Sequence, residues 1–320
     1  MHAIVVEQFG DPDVLKWVEK AEPKPGPDHV AIRVSVTSVN FVDTNVRRGK
    51  TGAALPLTPG VDCAGTIVAV GENVRDLKVG QRVAAFTDGG SYADVVLARG
   101  VLTYPIPDGV ADEEACAMVV LVTAWNILTL AGRFQKGENV LVHAAAGGVG
   151  SAAIQMARAF GANKIIATVS DMAKAAFARE CGADVVLDVK DFSNGTKEAT
   201  GGVGADLILD SVAGPVFMTS LEVLAPFGRL VNYGNASGAP GTVLSSQLHA
   251  ANRAVIGYSS GYYRGNRPTA LRPAAEGSLK ALADKKLRLT ASKTLPLRDA
   301  AEAHRFIESR KSHGKILLKP

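Results

Sequence analysis

Twelve residues near the middle of the chain restrict its fold more than any others. Asn139-Val140-Leu141-Val142-His143 holds an apolar run too short for a helix, and it leads straight into Ala144-Ala145-Ala146-Gly147-Gly148-Val149-Gly150. Beyond them, Ile154, Met156, Ala157 and Phe160 recur at near-helical spacing. Strand, glycine turn and helix in that order form the context that a dinucleotide-binding fingerprint requires. Ala145 stands where the fingerprint has its first glycine, so the turn reads A-x-G-G-V-G. Gly147 lets the backbone approach a pyrophosphate, and Gly150 lets the helix pack closely on the strand. Gly148 and Val149 open that helix, whose unpaired N–H groups and positive dipole end suit the phosphates.

A second apolar run, Lys164-Ile165-Ile166-Ala167-Thr168-Val169, follows through Gly161-Ala162. Its end bears on the cofactor. A site for NAD places Asp or Glu about 20 residues beyond the glycines, to bond the ribose 2′-OH. Val169 occupies that place and cannot do so, whereas Ser170 and Lys174 offer a hydroxyl and a cation suited to a 2′-phosphate. NADP(H) is therefore favoured over NAD(H). Asp171 would repel a phosphate unless its carboxylate serves as a helix N-cap. Lys174 on its own also reads as an ordinary solvated helix lysine.

A chain of 320 residues accommodates about two domains. Hydrophobic residues make up 47% and charged residues 21%, a balance that supplies a substantial core. The excess of 35 Lys and Arg over 31 Asp and Glu is spread along the chain, with no basic run of the kind that tracks nucleic acid. No apolar stretch reaches the ~18 residues of a membrane span, and the N-terminus lacks the pattern of a signal peptide. Cys63, Cys116 and Cys181 are odd in number and widely spaced, so they form neither a disulfide framework nor a structural zinc site. The six histidines show no metal-ligand spacing. These features place the chain in a reducing, cytoplasmic setting with small-molecule ligands.

The first ~115 residues read as β-rich, with short β-branched runs at 3–6, 30–36, 64–70 and 82–86 separated by Pro and Gly. Such spacing predicts a small barrel-like domain. From Asp112 the period becomes helical through residues 113–130, and strands at 139–142, 164–169, 185–187, 207–210, 228–234 and 254–258 then alternate with helices. That alternation predicts a doubly wound parallel sheet. The pattern changes again near residue 265: a helix around 279–287, a short strand, a helix from Asp299 and a last strand at 315–318. Neither terminal piece is self-sufficient, so the expected domains are residues 1–118 with 265–320, and residues 119–264.

The order of barrel-like domain, inserted nucleotide-binding sheet and returning tail resembles the medium-chain dehydrogenase/reductase superfamily, and within it the zinc-free NADPH:quinone oxidoreductase, zeta-crystallin-like branch. Val39-Asn40-Phe41-Val42-Asp43-Thr44 is similar to its V-N-F-x-D segment, Pro59-Gly60-Val61-Asp62-Cys63-Ala64-Gly65 to P-G-x-[DE]-x-[AS]-G, and Gly90-Ser91-Tyr92-Ala93-Asp94 to G-x-Y-A-[DE]. Gly234-Asn235-Ala236-Ser237-Gly238 is similar to the turn after the fifth sheet strand, and Glu308-Ser309-Arg310 to the tail that reaches back to the cofactor. The resemblance implies a GroES-like β-barrel catalytic domain beside a Rossmann domain. Zinc-dependent relatives carry Cys where Asn40 stands and His-Glu where Val61-Asp62 stand, so it also implies no catalytic metal.

The resemblance further implies that Asn40 and Thr123 lie near the nicotinamide and its ribose, in catalytic and cofactor-binding roles. It places Tyr233, Gly234, Asn235 and Arg310 on the other wall of the cofactor, while Ser211, just after the 207–210 strand, is a further candidate. Each also has an ordinary reading: Asn40 as a strand-end turn residue, Thr123 as helix core, Arg310 as a surface arginine and Ser211 as a turn serine. Without a Lewis acid, hydride transfer to quinones or to the C=C bond of α,β-unsaturated carbonyls is the expected reaction. Tyrosines that some relatives place at Asn45, near Thr51 and at Val189 are absent, which leaves no evident proton donor; Tyr92 reads as a buried strand tyrosine. The substrate is expected between the domains, with Leu121, Val122, Tyr258 and Tyr262 as lining or core. Residues 257–267 are expected as a mobile loop or interface segment, and a homodimer through the strand at 254–258. The competing expectation is a non-catalytic protein that keeps the nucleotide site, crystallin-like or RNA-binding.

Overall fold

Polar and apolar residues alternate along the long strand at residues 29–39, and this strand organises the first half of the molecule. The computed structural model describes residues 1–320 and contains two compact units, Met1–Leu121 with Tyr263–Pro320, and Val122–Tyr262. In the first unit β1 (His2–Val5) pairs antiparallel with β2 (Lys16–Glu19). After β3 (His29–Val39) come α1 (Phe41–Arg47), β4 (Asp62–Val70), β5 (Arg82–Phe86), β6 (Val95–Arg99), β7 (Thr103–Pro105), α2 (Asp112–Ala115) and the first turn of α3 (Met118–Leu128), whose remainder belongs to the second unit. The inward residues Val30, Ile32 and Val34 of β3 pack with Ile67, Val83 and Val96.

The second unit runs β8 (Asn139–Val142), α4 (Gly148–Ala159), β9 (Lys164–Val169), α5 (Ala175–Glu180), β10 (Val185–Asp188), α6 (Phe192–Ala199), β11 (Ala205–Asp210), α7 (Gly214–Glu222), β12 (Leu224–Asn232), α8 (Ser245–His249) and β13 (Ala254–Gly257). Its six strands are all parallel, in the order β10-β9-β8-β11-β12-β13. The sequence order reverses between β8 and β11, and ligands of doubly wound sheets bind at the carboxyl ends of strands at such a reversal. Val140, Leu141, Val142, Leu207, Ile208 and Leu209 are fully buried. A strand covered on both faces needs such a continuous apolar run rather than alternation.

The chain then forms α9 (Ser260–Asn266), α10 (Arg272–Ala283), β14 (Ala291–Pro296), α11 (Ala300–Glu308) and β15 (Lys315–Lys319). β15 inserts between β14 and β3, completing a sheet of order β14-β15-β3-β4-β5-β7, with β6 also on β3. Ile316 and Leu318 of β15 share a core with Ile4, Val39, Tyr92 and Leu297.

Four local expectations change, the first being that the helix expected around 279–287 lies at Arg272–Ala283. The helix expected over 113–130 is two helices, because the chain turns at Cys116-Ala117 and the Asp62 carboxylate accepts the Val119 N–H (2.9 Å), capping α3 from another strand. Residues 260–266, expected within a loop or interface segment, form α9. Tyr92 is fully buried, yet it lies in the irregular link between β5 and β6 rather than in a strand.

Candidate functional site

At the end of β8 the chain turns through Ala144, whose φ of 49° is left-handed. The Ala145 N–H donates to Thr168 O on β9 (3.0 Å) and the Gly147 N–H to Ala144 O (2.9 Å), which closes the turn before α4 begins. A Cβ on Gly150 would lie 2.5 Å from Ala144 O, so only glycine lets the helix approach its own turn this closely. Gly147, Gly148 and Val149 are exposed or half-buried at the helix start, where the first turn of N–H groups has no intrahelical acceptor. Beneath the turn, His143 is fully buried between Thr168 Oγ1 (2.8 Å) and Ser220 Oγ (2.9 Å). Ser220 already donates to Val216 O (2.7 Å), so it accepts from His143 Nε2–H and Nδ1 accepts from Thr168. Burial pushes this imidazole down to about 3.

The β8, β9, β11 and β12 ladders stay in step: Val142 pairs with Ala167 and with Leu209, and Asp210 with Asn232. The glycine turn, Ser170, Ser211, Tyr233 and Gly234 therefore leave the sheet along one carboxyl rim. Ser170 is exposed just past Val169. Asp171 is the N-cap of a short 3-10 turn, its carboxylate accepting the Ala173 N–H (2.9 Å). Lys174 closes that turn, and burial lowers its ammonium, opposed by Asp171. Farther along the rim, the Tyr233 N–H donates to Asp210 O, the Ala236 N–H to Ser211 O and the Ser237 N–H to Val212 O, each at 2.9 Å. The Asp210 carboxylate accepts from Val212 N–H (2.7 Å) and Ala213 N–H (3.1 Å), holding Ala213 at φ 61°, ψ −159°. Only glycine adopts that region without strain. Asn235 is exposed on this turn. Thr123 and Val122 are buried on α3, and Tyr258 receives the Asn126 amide N–H on its hydroxyl (3.0 Å).

Asn40 and Arg310 belong to the first unit. Arg310 is exposed just after α11, in the left-handed conformation (φ 59°) that ends many helices. Asn40 is the N-cap residue of α1, but its side chain does not cap. The Asp43 carboxylate accepts the Asn40 backbone N–H (2.8 Å), one half of a capping box. The Asn40 amide instead donates to Asp62 Oδ1 (2.9 Å) and to Ser38 (3.2 Å), and its oxygen accepts from Lys315 Nζ (2.8 Å). Lys315 also donates to Val39 O (2.7 Å), and Ser38 Oγ donates to Asp62 (2.7 Å). Asn40 is thus a bridge between a buried carboxylate and a buried ammonium. Burial pushes Asp62 up and Lys315 down, and each charge holds the other back.

A second chain of bonds runs from Asp43. Its Oδ2 faces the Tyr92 hydroxyl (3.4 Å), which faces His304 Nε2 (3.1 Å); Arg47 Nη1 faces His304 Nδ1 (3.3 Å), and Arg47 Nη2 pairs with Glu308 (2.5 Å). An arginine can only donate. His304 Nδ1 therefore accepts, Nε2–H donates to Tyr92, and the Tyr92 hydroxyl donates to Asp43. Burial and the neighbouring Arg47 and Arg48 push His304 down to about 3, and burial pushes Asp43 up to about 7. Asp62, Lys315, Asp43, His304 and Arg47 were not anticipated as a group. They are scattered from residue 43 to residue 315, and no spacing motif joins them.

Comparison with known proteins adds the lineage. Residues 26–117 match the alcohol dehydrogenase GroES-like domain family, and residues 148–276 the zinc-binding dehydrogenase family. The probable quinone oxidoreductase of Schizosaccharomyces pombe is 34% identical, over 98% of this chain and 96% of that protein. The quinone oxidoreductase of Pseudomonas aeruginosa is 34% identical, over 98% and 97%. Among solved structures, the Escherichia coli quinone oxidoreductase complexed with NADPH has a TM-score of 0.91 at 31% identity, covering all of both chains.

Proposed function

This chain belongs to the quinone oxidoreductase branch of the medium-chain dehydrogenase/reductase superfamily, and on that premise we propose an NADPH-dependent enzyme that reduces quinones or the C=C bond of α,β-unsaturated carbonyls without zinc. The observation that carries the reading is the carboxyl rim of the parallel sheet. There the glycine turn presents the start of α4 to a pyrophosphate, and β9 ends on Val169-Ser170 rather than on an acid. The fit to NADPH rests on this chain's own atoms: accessible backbone at Gly147, Gly148 and Val149, the Ser170 hydroxyl, the Lys174 ammonium, and an Asp171 carboxylate already engaged by Ala173. Bound NADPH supplies a hydride. The protein's part is to hold it through Ala145–Val149, Ser170, Lys174, Ser211, the Tyr233–Asn235 turn and Arg310, and to set the nicotinamide with Asn40 and Thr123. Those assignments are part of the proposal, as are a homodimer through the edge strand β13 and a cytoplasmic location. Three free cysteines agree with the latter, and no helix is long and apolar enough to cross a membrane.

Zinc independence is supported by the chemistry of the available donors. Asn40 and Val61 are poor zinc ligands, and no three His, Cys, Asp or Glu side chains are grouped to hold a metal ion. Around Asn40 the positive charge comes from the Lys315 ammonium. Metal analysis that finds about one tightly held zinc per chain, with activity lost on chelation, would refute this part.

The decisive experiment titrates wild type and Lys174→Ala with NADPH and NADH, then follows NADPH oxidation with a panel of quinones, enones and saturated ketones. The expected result is tighter NADPH than NADH binding, with a selective loss of about 1.5–3 kcal/mol for NADPH in the variant, the scale of one charge-assisted hydrogen bond. Quinones or enones turn over and saturated ketones do not. Equal affinities in wild type, or saturated ketones reduced as well as enones, would overturn the reading.

A further inference from the structure

The first unit holds a second cation near Asn40 that has no carboxylate partner. The strand ladders place Asp62 opposite Phe86 and Val39 opposite Ile316, so Asn40, Asp62, Thr87 and Lys315 share one end of the sheet. Arg264, on α9, reaches the same end. Its guanidinium lies over the Phe86 ring, 5.5 Å from the centroid, and Nη1 donates to Thr87 O (3.0 Å). Its own carbonyl accepts from Arg99 Nη2 (2.8 Å), and Arg99 is paired with Asp88 (3.0 Å), which fixes the backbone from the other side. Asp62, Asp43 and Asp88 are close enough to act on it electrostatically, yet none bonds it. Nε is buried with no hydrogen-bond partner, while the residue as a whole is half-buried. Burial lowers the basicity of this guanidinium, though an arginine stays charged.

A half-buried cation held in place with a buried, unused donor is costly, and such a group calls for an explanation, of which completion by a ligand is one. We propose that Arg264 is the electrophilic residue of the acceptor site, donating from its guanidinium to the carbonyl oxygen of the quinone or enone. This rests on the reaction proposed above, for which the sequence offers neither a Lewis acid nor an evident proton donor to offset the developing negative charge. Hydride addition to the β-carbon of an enone forms a C–H bond and breaks the C=C π bond. The displaced electron pair moves to the carbonyl oxygen as an enolate, and a proton from water at the α-carbon completes the saturated product. With a quinone, the hydride forms an O–H bond at one carbonyl oxygen, the C=O π pair shifts through the ring to the other carbonyl oxygen, and protonation there gives the hydroquinone. In each case the two electrons come from NADPH, and the oxygen gains charge where a fixed guanidinium donor is most effective. Arg264 need not transfer a proton. The requirement it creates is an acceptor bearing a carbonyl oxygen.

The test uses the full-length protein and the variants Arg264→Ala and Arg264→Lys. Wild type is expected to reduce a quinone, with kcat/KM falling about 100-fold in R264A, the scale of one lost oxyanion donor, and less in R264K. NADPH affinity should be unchanged, the thermal midpoint should fall no more than the lost Thr87 bond and Phe86 contact account for, and added guanidinium ion should restore part of the R264A rate. A second readout needs no turnover. Wild type loaded with NADP⁺ should bind 4-nitrophenol as the yellow phenolate at a pH where the free probe is half ionised, and R264A should not. Quinone turnover in folded R264A equal to wild type, or phenolate binding equal in the two proteins, overturns the inference. Failure of wild type to oxidise NADPH with any quinone or enone would instead refute the proposed function, and the phenolate measurement would still decide whether Arg264 forms an oxyanion site.

Discussion

The glycine turn after β8 and the polar cluster at the end of β3 both place polar atoms against an apolar core, and they do it with opposite materials. The turn is almost all backbone. Its bonds are Ala145 N–H to Thr168 O and Gly147 N–H to Ala144 O, and its shape depends on the missing side chain of Gly150. The cluster is almost all side chain, with Asn40, Asp62 and Lys315 bonded through atoms that titrate or balance charge. A backbone site tolerates changes of charge around it and is sensitive to volume. A buried ionic site is sensitive above all to the loss of any one charge.

The comparison predicts its largest effect at Lys315. Lys315→Met keeps length but leaves Asp62 without a balancing cation, and removes the donor to Asn40 Oδ1 and Val39 O. Breaking one partner of a buried charge arrangement costs about 3–5 kcal/mol, read as a shift in the urea midpoint. The double variant Lys315→Met/Asp62→Asn should recover part of that loss. If the double variant is as unstable as the sum of the singles, the two charges are not coupled through Asn40 and the description of the cluster is wrong.

Acid separates the two regions next. In the second unit burial holds His143 at about 3. The unfolded chain takes up that proton near its ordinary value, so this contribution to stability is present at neutral pH and is lost as pH falls below about 6.5. In the first unit His304, also held at about 3, behaves the same way, but Asp43 has the opposite sign. Its carboxyl is raised to about 7, so folding favours its protonated form and stability rises as pH drops from about 7 toward about 4. Each such group changes stability by about 1.4 kcal/mol per pH unit within its window. Urea unfolding between pH 7 and pH 5 should therefore be flatter in His143→Gln than in wild type, and steeper in Asp43→Asn. The same slope in all three proteins would contradict the assignment.

The two regions also differ in how much the sequence disclosed. The parallel sheet was legible strand by strand, because strands buried on both faces are continuous apolar runs and the glycines that end β8 lie next to it in the chain. The Lys164–Val169 strand and the Val169-Ser170 end were read directly. Short edge elements were not: β2, with three exposed residues in Lys16–Glu19, carries no apolar signal, and α1 was hidden in a V-N-F-x-D segment read as a motif. The cluster was illegible for a different reason. Asn40, Asp62 and Lys315 meet only when β15 slots beside β3, and no local period records that event. A faint signal was present: Lys315 opens an apolar strand, Lys-Ile-Leu-Leu, on a face that must be buried. Arg264 lies within residues 257–267, which the sequence marks only as a loop or interface segment.

Volume is the next test, and it falls on the backbone region. Gly150→Ala puts a methyl 2.5 Å from Ala144 O and 2.8 Å from Ala145 Cα. Both neighbours are backbone, so they cannot swing aside. Overpacking of this kind costs about 1–3 kcal/mol, and the displaced turn should weaken NADPH binding measured by fluorescence while leaving the pH dependence of stability unchanged. Unchanged NADPH affinity in a folded G150A protein would mean that the turn's close approach to its helix is not what shapes the nucleotide site.

The smallest effect is expected at Tyr92. Its hydroxyl accepts from His304 Nε2 at 3.1 Å and donates to Asp43 at 3.4 Å, a long and weak bond, and the ring is fully buried. Tyr92→Phe keeps the ring and its packing with Ile4 and Leu297 while leaving the His304 N–H without an acceptor. One net hydrogen bond is worth about 0.5–1.5 kcal/mol, so the urea midpoint should move slightly. Quinone turnover should hardly change. The phenol is fully buried and its hydroxyl is bonded on both sides by His304 and Asp43, so its expected part is in packing rather than in proton transfer. A fall in turnover of about 100-fold or more, the scale of a lost general acid, would break the comparison at its root. The cluster would then be a working part of the proton chemistry, and Tyr92, between His304 and Asp43, would be the group that moves the proton.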